Sequence, residues 1–187
     1  MNRLRFRHHF CFGIVAAVLV LSVPRINAAQ VDQRVYAPLV MMGAANPLPN
    51  TLPSLLSPEE QDVLTLTNQL RAAAGCAPLA ANAKLQAATE RHSADMALKN
   101  DPINISHTGS DGSTPSRRAV DAGYSELVGE NIASGYPTAA AVFEGWRTST
   151  KGHYENLINC TYRDIGISLV RSTDGWPYWT QDFGIPR

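Results

Sequence analysis

The chain has 187 residues, 44% of them hydrophobic and 17% charged, so it can bury a core and is not globally disordered. Its formal net charge is zero, but the 16 basic residues include four arginines within residues 1–28, which leaves 12 basic against 16 acidic residues in the remainder. Such a remainder lacks the clustered cations on which nucleic-acid binding depends, so we expect no nucleic-acid partner.

The N-terminus is typical of a secretory signal. A basic stretch, MNRLRFRHH, precedes a run of 14 mainly apolar residues, FCFGIVAAVLVLSV. This run is shorter than a membrane span, which needs about 20 residues, and suits the core of a signal peptide. Small residues favour cleavage near Ala28 or Ala29. We therefore predict a signal peptide over residues 1–28, a Sec-type secreted protein and no transmembrane anchor after cleavage; the alternative is an uncleaved membrane anchor.

Residues 29–56 have the composition of a linker. Four prolines interrupt them, at Pro38, Pro47, Pro49 and Pro53. Proline restricts its own backbone and that of the residue before it, and no helical or strand period is sustained. We predict a proline-rich linker over residues 29–56 and one folded domain over residues 57–187.

Two cysteines remain after the predicted cleavage, Cys76 and Cys160. In the oxidising environment that an exported protein meets, an even pair of cysteines usually forms a disulfide. The competing hypothesis, a nucleophilic cysteine paired with a histidine, has no activating sequence context. We predict a Cys76–Cys160 disulfide.

Helix caps and helical spacing indicate four helices. The first begins at Ser57 in a capping box, Ser-Pro-Glu-Glu, and ends at Gly75. The others lie at about residues 82–100, 114–123 and 138–148. On the apolar stripe of the second helix, His92 is interpreted as a hydrogen-bonded packing residue rather than a ligand.

Strand patterns follow the third helix. Residues 127–132 predict one strand, and residues 164–170 and 176–183 alternate apolar and polar positions on either side of a Ser-Thr-Asp-Gly turn. These last two strands form a predicted hairpin. Helices first and a hairpin last favour an α+β domain with helices layered on an antiparallel sheet.

Histidines and acids with the chemistry of a site lie in the turn-rich stretch between residues 106 and 159. They are His107, Glu130, Glu144 and His153. Two imidazoles with one or two carboxylates suit a divalent metal such as Zn²⁺ with an open position, and they also suit acid–base chemistry. A third interpretation is a hydrogen-bonded network that holds the loops around a groove. The chain has no HExxH or GxSxG motif, so the balance favours a non-enzymatic site.

Several motifs together resemble one family. In order along the chain they are SHTGSDG, AGY, GENIASGY, EGWRTSTKGHYENLIN, IGISLV and YWTQDFG. This series resembles the CAP superfamily of cysteine-rich secretory proteins, antigen 5 and pathogenesis-related proteins, also called SCP domains, and is most similar to its exported bacterial branch. The resemblance covers about residues 57–185. It implies an α-β-α sandwich with a central antiparallel sheet.

The resemblance also implies a cleft with two histidines and two glutamates. His107, His153 and Glu130 match three of these positions and are the expected metal ligands. The family's second glutamate would fall at Ser149, whereas Glu144 lies before the tryptophan at position 146. Either Glu144 substitutes from a shifted position, or the site has three members.

For function, the resemblance implies a secreted, monomeric binding module whose cleft takes a divalent metal or a small apolar, lipid-, sterol- or glycan-like ligand. No cofactor is certain. The alternative is a metal-dependent extracellular hydrolase of the peptidase type that uses the same histidines and glutamate. A hydrolase would lose turnover with a chelator and with His107→Ala, whereas a binding module has no turnover to lose.

Overall fold

The computed structural model of the protein describes residues 54–124 and 127–186, with the backbone alone at residues 127 and 128. The predicted signal peptide and residues 29–53 of the predicted linker lie outside the described residues, so both stay predictions. The end of that linker is part of the domain's packing, because Leu56 is 3% exposed and belongs to the main hydrophobic core.

Nine elements follow one another along the described chain. In order they are α1 (Pro58–Ala73), β1 (Ala80–Ala81), α2 (Ala83–Lys99), α3 (Pro115–Asp121), β2 (Leu127–Ser134), α4 (Ala139–Arg147), α5 (His153–Ile158), β3 (Asp164–Arg171) and β4 (Pro177–Gly184). The four predicted helices and the hairpin are confirmed. The sequence pattern did not indicate β1, which has two residues, or α5, which has six. Neither is long enough to show a period.

Side chains at the helix starts explain why these helices begin where they do. The Ser57 hydroxyl accepts from the Glu60 backbone N–H, and the Glu60 carboxylate accepts from the Ser57 backbone N–H, as a capping box requires. Asn82, Thr114 and Thr138 cap α2, α3 and α4 in the same manner through one side-chain acceptor each.

The sheet has the order β1-β3-β4-β2. The three long strands are antiparallel, as predicted, and the short edge strand β1 runs parallel to β3. The β3–β4 hairpin turns at residues 172–175, where Gly175 has a φ of 86° and donates its N–H to the Ser172 carbonyl. The register places Glu130 of β2 and Gly166 of β3 directly opposite Asp182 of β4, on its two sides.

Helices cover both faces of the sheet, so the fold is the predicted α-β-α sandwich. One face is apolar and packs against α1, α4 and α5; its buried members include Val63, Val142, Trp146, Leu157, Ile165, Ile167, Trp179 and Phe183. The other face lies under α2, where a Cβ at Gly166 would come within 2.4 Å of the Leu85 carbonyl carbon. This close approach requires glycine and brings the polar side chains of α2 down onto the sheet.

The predicted Cys76–Cys160 disulfide is present and closes a sequence separation of 84 residues. Beside it, Arg71 of α1 donates to four backbone carbonyls, those of Ala77, Leu157, Asn159 and Tyr162. The disulfide and the arginine therefore join the same two stretches of chain, the end of α1 and the loop after α5.

Candidate functional site

His107 and Glu130 are in direct contact. The distance from His107 Nδ1 to Glu130 Oε1 is 2.7 Å, although α3 lies between the two residues in the sequence. The Glu130 side chain is 2% exposed, whereas that of His107 is 52% exposed. A carboxylate can only accept, so Nδ1 carries the proton and Nε2 of a neutral His107 has the lone pair. The pair therefore places a buried acid behind an accessible imidazole.

Arg118 of α3 completes the surroundings of Glu130. Its Nη2 donates to Glu130 Oε2 at 2.6 Å and to the His107 carbonyl at 3.1 Å, while its Nη1 donates to the Ser113 carbonyl at 2.9 Å. Arg118 is 1% exposed. One guanidinium thus orients the carboxylate and binds the loop that carries His107 at the His107 and Ser113 carbonyls, as its planar donor geometry allows.

His92 of α2 lies on the other side of the same carboxylate. Its Nε2 is 3.0 Å from the Ser106 carbonyl and 3.9 Å from Glu130 Oε1. A carbonyl accepts only, so Nε2 carries the proton, and burial lowers the pKa of His92 and keeps it neutral. The interpretation of His92 as a hydrogen-bonded packing residue agrees with this geometry.

The pKa of Glu130 is below its usual value even though burial alone would raise it. The hydrogen bonds from His107 and Arg118 and the positive charge of Arg118 oppose the effect of burial. Glu130 is therefore a carboxylate with a donor on each oxygen.

His153 enters from the opposite loop. Gly152, with a φ of 90°, turns the chain into α5 and makes His153 its first residue. Its Nδ1 is 2.9 Å from Ser149 Oγ, so the position expected for a second glutamate holds a hydroxyl that contacts this histidine. Burial, and then the charges of His107 and Lys151, lower the pKa of His153.

Glu144 lies on the exposed side of α4. Both its carboxylate oxygens bind the guanidinium of Arg147, at 2.6 and 2.7 Å, and its side chain is 54% exposed. The contacts described for Glu144 do not include His107, Glu130 or His153. Trp146, on the buried side of the same helix, is 1% exposed. Among the described contacts, His107 binds Glu130 directly, whereas Glu144 binds Arg147 and does not take the place of the family's second glutamate.

A groove of about 450 Å³ lies beside His153. Its lining combines apolar side chains with hydroxyl groups and one lysine: Pro102, Ile103, Ile105, Ile132, Ala133, Ser134, Tyr136, Gly145, Trp146, Thr148, Ser149, Thr150, Lys151 and His153. Ile103 is 89% exposed at this groove. An apolar surface with a few polar groups is the usual character of a small-molecule site.

A metal site is not evident in the described part of the chain. Residues 54–124 and 127–186 contain no group of three or more His, Cys, Asp or Glu side chains placed to hold an ion. Both oxygens of Glu130, one of the expected ligands, accept from His107 and Arg118. Within the same residues, no helix is both long and apolar enough to cross a bilayer.

The layers, the sheet and the histidine–glutamate pair define an SCP-type domain. The chain belongs to the CAP family: the model of the cysteine-rich secretory protein family matches residues 64–183. The resemblance inferred from the motifs is confirmed.

Two proteins of Bacillus subtilis are similar in sequence to this chain. The chain is 33% identical over 132 residues to the uncharacterized protein YkwD, covering 70% of this chain and 49% of YkwD. It is also 33% identical over 126 residues to the uncharacterized membrane protein YlbC, covering 66% of this chain and 34% of YlbC. The chain thus spans about half or less of the length of these relatives.

Two of the similar solved structures come from bacteria. An extracellular protein with an SCP domain from Bacillus anthracis superposes with a TM-score of 0.59 at 27% identity, covering 71% of this chain and 44% of that one. An outer surface protein of Borrelia burgdorferi superposes with a TM-score of 0.56 at 25% identity, covering 69% and 93%. These matches support the α-β-α sandwich and a bacterial branch of the family.

Sequence reasoning did not identify Arg118 or Asp182. Arg118 lies on a short helix that looks solvated in the sequence, because Arg117 precedes it and Asp121 follows. Asp182 follows a glutamine in a strand whose alternation suggested an ordinary polar position. Arg118 and Asp182 are both buried by the fold. Their burial can be recognised only when the positions of the helices and the order of the strands are known.

Proposed function

We propose that this chain is an exported, non-enzymatic binding domain. Its ligand is a small, largely apolar molecule that lies in the groove beside His153. The groove supports this proposal most directly, because Ile103, Ile105 and Trp146 line it together with hydroxyl groups. Its lining includes Lys151 and no acid, which favours a ligand with a neutral or anionic polar end. The proposed function does not depend on a metal.

Export is supported by three observations. The N-terminal sequence has the pattern of a signal peptide. The domain holds a disulfide, which is typical of oxidising compartments. A structurally similar Bacillus anthracis protein is described as extracellular.

Ligand binding is tested with two fluorescent probes, a dansyl-labelled fatty acid and a sterol analogue, titrated with the exported protein. Ile103→Asp should weaken binding of the accepted probe about tenfold, because it removes one isoleucine contact and adds a charge. The matched control is Leu98→Asp. Leu98 is 88% exposed, comparable to Ile103 at 89%, and does not line this groove.

Equal loss of affinity in both variants would contradict the groove as the binding site, and so would failure of both probes to bind the wild type. The hydrolase hypothesis has a different signature. Turnover of a peptide or ester substrate that is abolished by a chelator and by His107→Ala would replace the binding proposal.

A further inference from the structure

A second cavity, of about 390 Å³, adjoins the groove and shares with it the loop of residues 101–106 that follows α2. We call this space the loop cavity. Ile103 lines the groove, whereas Asp101 and Asn104 line the loop cavity. Ile105 lines both, so the two spaces meet at its side chain. The volume of the loop cavity is within the range of small-molecule sites.

The loop cavity is polar where the groove is mainly apolar. Charged, amide and hydroxyl side chains from α2 and from the loops around position 106 line it; six of them are Asp95, Lys99, Asp101, Asn104, Ser106 and Ser110. Its apolar members are Met96, which is 5% exposed, and Ile105. The lining of the groove has no acid, and that of the loop cavity has two. The two spaces therefore match different parts of one molecule.

The two acids of the loop cavity are held in place and still have acceptor positions open. Asp95 accepts from the Ser110 backbone N–H at 2.9 Å and, on its other oxygen, from the Ser110 hydroxyl. Asp101 accepts from the Asn104 backbone N–H at 3.2 Å and from the Asn104 amide at 3.0 and 3.1 Å. A carboxylate oxygen has two lone pairs, so both oxygens of Asp95 and Oδ2 of Asp101 can each accept once more. Acceptors fixed before a ligand arrives lower the entropic cost of binding it.

The charges of the lining decide which ligand group fits. Two carboxylates outweigh the ammonium of Lys99, so an anionic group is repelled, and Lys99 opposes a cationic one. Within residues 54–124 and 127–186, no group of three or more His, Cys, Asp or Glu side chains is placed to hold a metal ion. A neutral hydroxyl both donates to a carboxylate and accepts from an ammonium. Several hydroxyls on one small molecule would therefore satisfy this lining.

We propose that the loop cavity binds a neutral sugar, and that the ligand of this domain is an amphiphile whose sugar head occupies the loop cavity while its apolar part lies in the groove. A sugar ring carries hydroxyls around apolar C–H faces, and Met96 and Ile105 supply an apolar surface for such a face. The amphiphile rests on the proposed function, because the groove is the site proposed there. The sugar site rests on the loop cavity alone.

The ligand class is tested by calorimetry with amphiphiles that share one chain and differ in the head. The probes are the octyl glycosides of glucose, galactose and N-acetylglucosamine, and octyl tetraethylene glycol ether, each titrated as a monomer into the exported protein. At least one glycoside should bind about tenfold more tightly than the ether, because a site built around hydroxyl groups rejects a head that lacks them. If no glycoside binds more tightly than the ether, the proposal is overturned.

Asp101→Asn tests the location of the sugar site. The substitution keeps the shape of the side chain and replaces one acceptor oxygen with a donor, so affinity for the preferred glycoside should fall about tenfold while affinity for the ether stays the same. The matched control is Asp174→Asn. Asp174 also accepts a hydrogen bond within its own turn, from Ser172, but lines neither the loop cavity nor the groove. Equal losses in the two variants, or an equal loss for the ether, would overturn the sugar site.

Ile103→Asp separates this proposal from the proposed function. Ile103 lines the groove and not the loop cavity, so the substitution should weaken binding of the glycoside and of the ether alike. If Asp101→Asn weakens glycoside binding while Ile103→Asp changes neither affinity, the sugar site stands and binding in the groove fails. If the fluorescent probes bind in the groove while no glycoside exceeds the ether, the groove stands and the sugar site fails.

Discussion

Two buried arginines show how differently this domain uses the same side chain. Arg71 is 0% exposed and donates to four backbone carbonyls around the disulfide, without a carboxylate partner among the described residues. Arg118 is 1% exposed and binds Glu130, and its Nε has no partner in the described part of the chain. The first region is saturated by main-chain acceptors. In the second region, buried polar atoms such as Arg118 Nε have no hydrogen-bond partner among the described residues, and Glu130 binds the exposed His107.

The two regions differ in how their charge responds to pH. Main-chain carbonyls do not titrate, so the region around Arg71 has a constant charge and a constant geometry. The region around Arg118 contains two acids, Glu130 and Asp182, whose protonation states depend on one another. Perturbed pKa values of buried, charge-coupled groups are common at functional sites.

The largest expected effect is at Arg71. Arg71→Met should lower the free energy of unfolding by about 5 kcal/mol, because it leaves buried carbonyls without donors. Urea unfolding at neutral pH measures it. The control is Arg91→Met, whose ion pairs with Asp111 and Asp121 are exposed and should contribute about 1 kcal/mol or less. Similar losses in both variants would contradict a stabilising role for the hydrogen bonds of Arg71 to the four carbonyls.

Arg118→Met should cost about 4 kcal/mol at neutral pH, where it leaves the buried Glu130 carboxylate without its counter-charge. The cost should shrink as the pH falls towards about 4, because Glu130 can then take up a proton in the variant. Arg71→Met should show no such change, since carbonyls do not titrate. Parallel stability curves against pH for the two variants would show that the regions do not differ in the proposed manner.

The disulfide should contribute less than its loop length suggests. The chain-entropy model assigns about 4–5 kcal/mol to a loop of this size. Arg71 already holds the same two stretches of chain, so we expect the Cys76→Ala, Cys160→Ala double variant to lose only about 3 kcal/mol. Added to Arg71→Met, the cysteine substitutions should have a larger effect than alone. Strictly additive losses of unfolding free energy would mean that the Arg71 hydrogen bonds and the disulfide stabilise the fold independently.

Asp182→Asn should give the smallest effect, and a gain. A pKa raised by folding means that the native state keeps a proton which the unfolded chain releases above about pH 4, so wild-type stability falls as pH rises from there. The amide has no such proton. We expect about equal stability near pH 4 and an advantage for the variant of about 2 kcal/mol at neutral pH. A variant less stable than wild type at neutral pH contradicts this.

The local features were predictable because neighbouring residues create them. The Ser57 capping box, the turn at residues 172–175 and the cysteine pair Cys76–Cys160 each depend on a few positions or on a count. The groups of the site were predictable in kind: His107 and Glu130 are in contact, as expected from the motifs. The absence of a glutamate at position 149 was visible as well, although its replacement by a Ser149–His153 contact was not.

The helix caps, the strand alternation, the disulfide partners and the family could all be predicted from the sequence. Which charged residues lose contact with water became visible in the folded domain. Arg118 and Asp182 look like surface residues beside Arg117 and Gln181, but α2 and the strand order bury them next to Glu130. The reason is that burial and charge pairing depend on chain segments far apart in sequence, and the free-energy cost of a buried charge depends on all its neighbours at once.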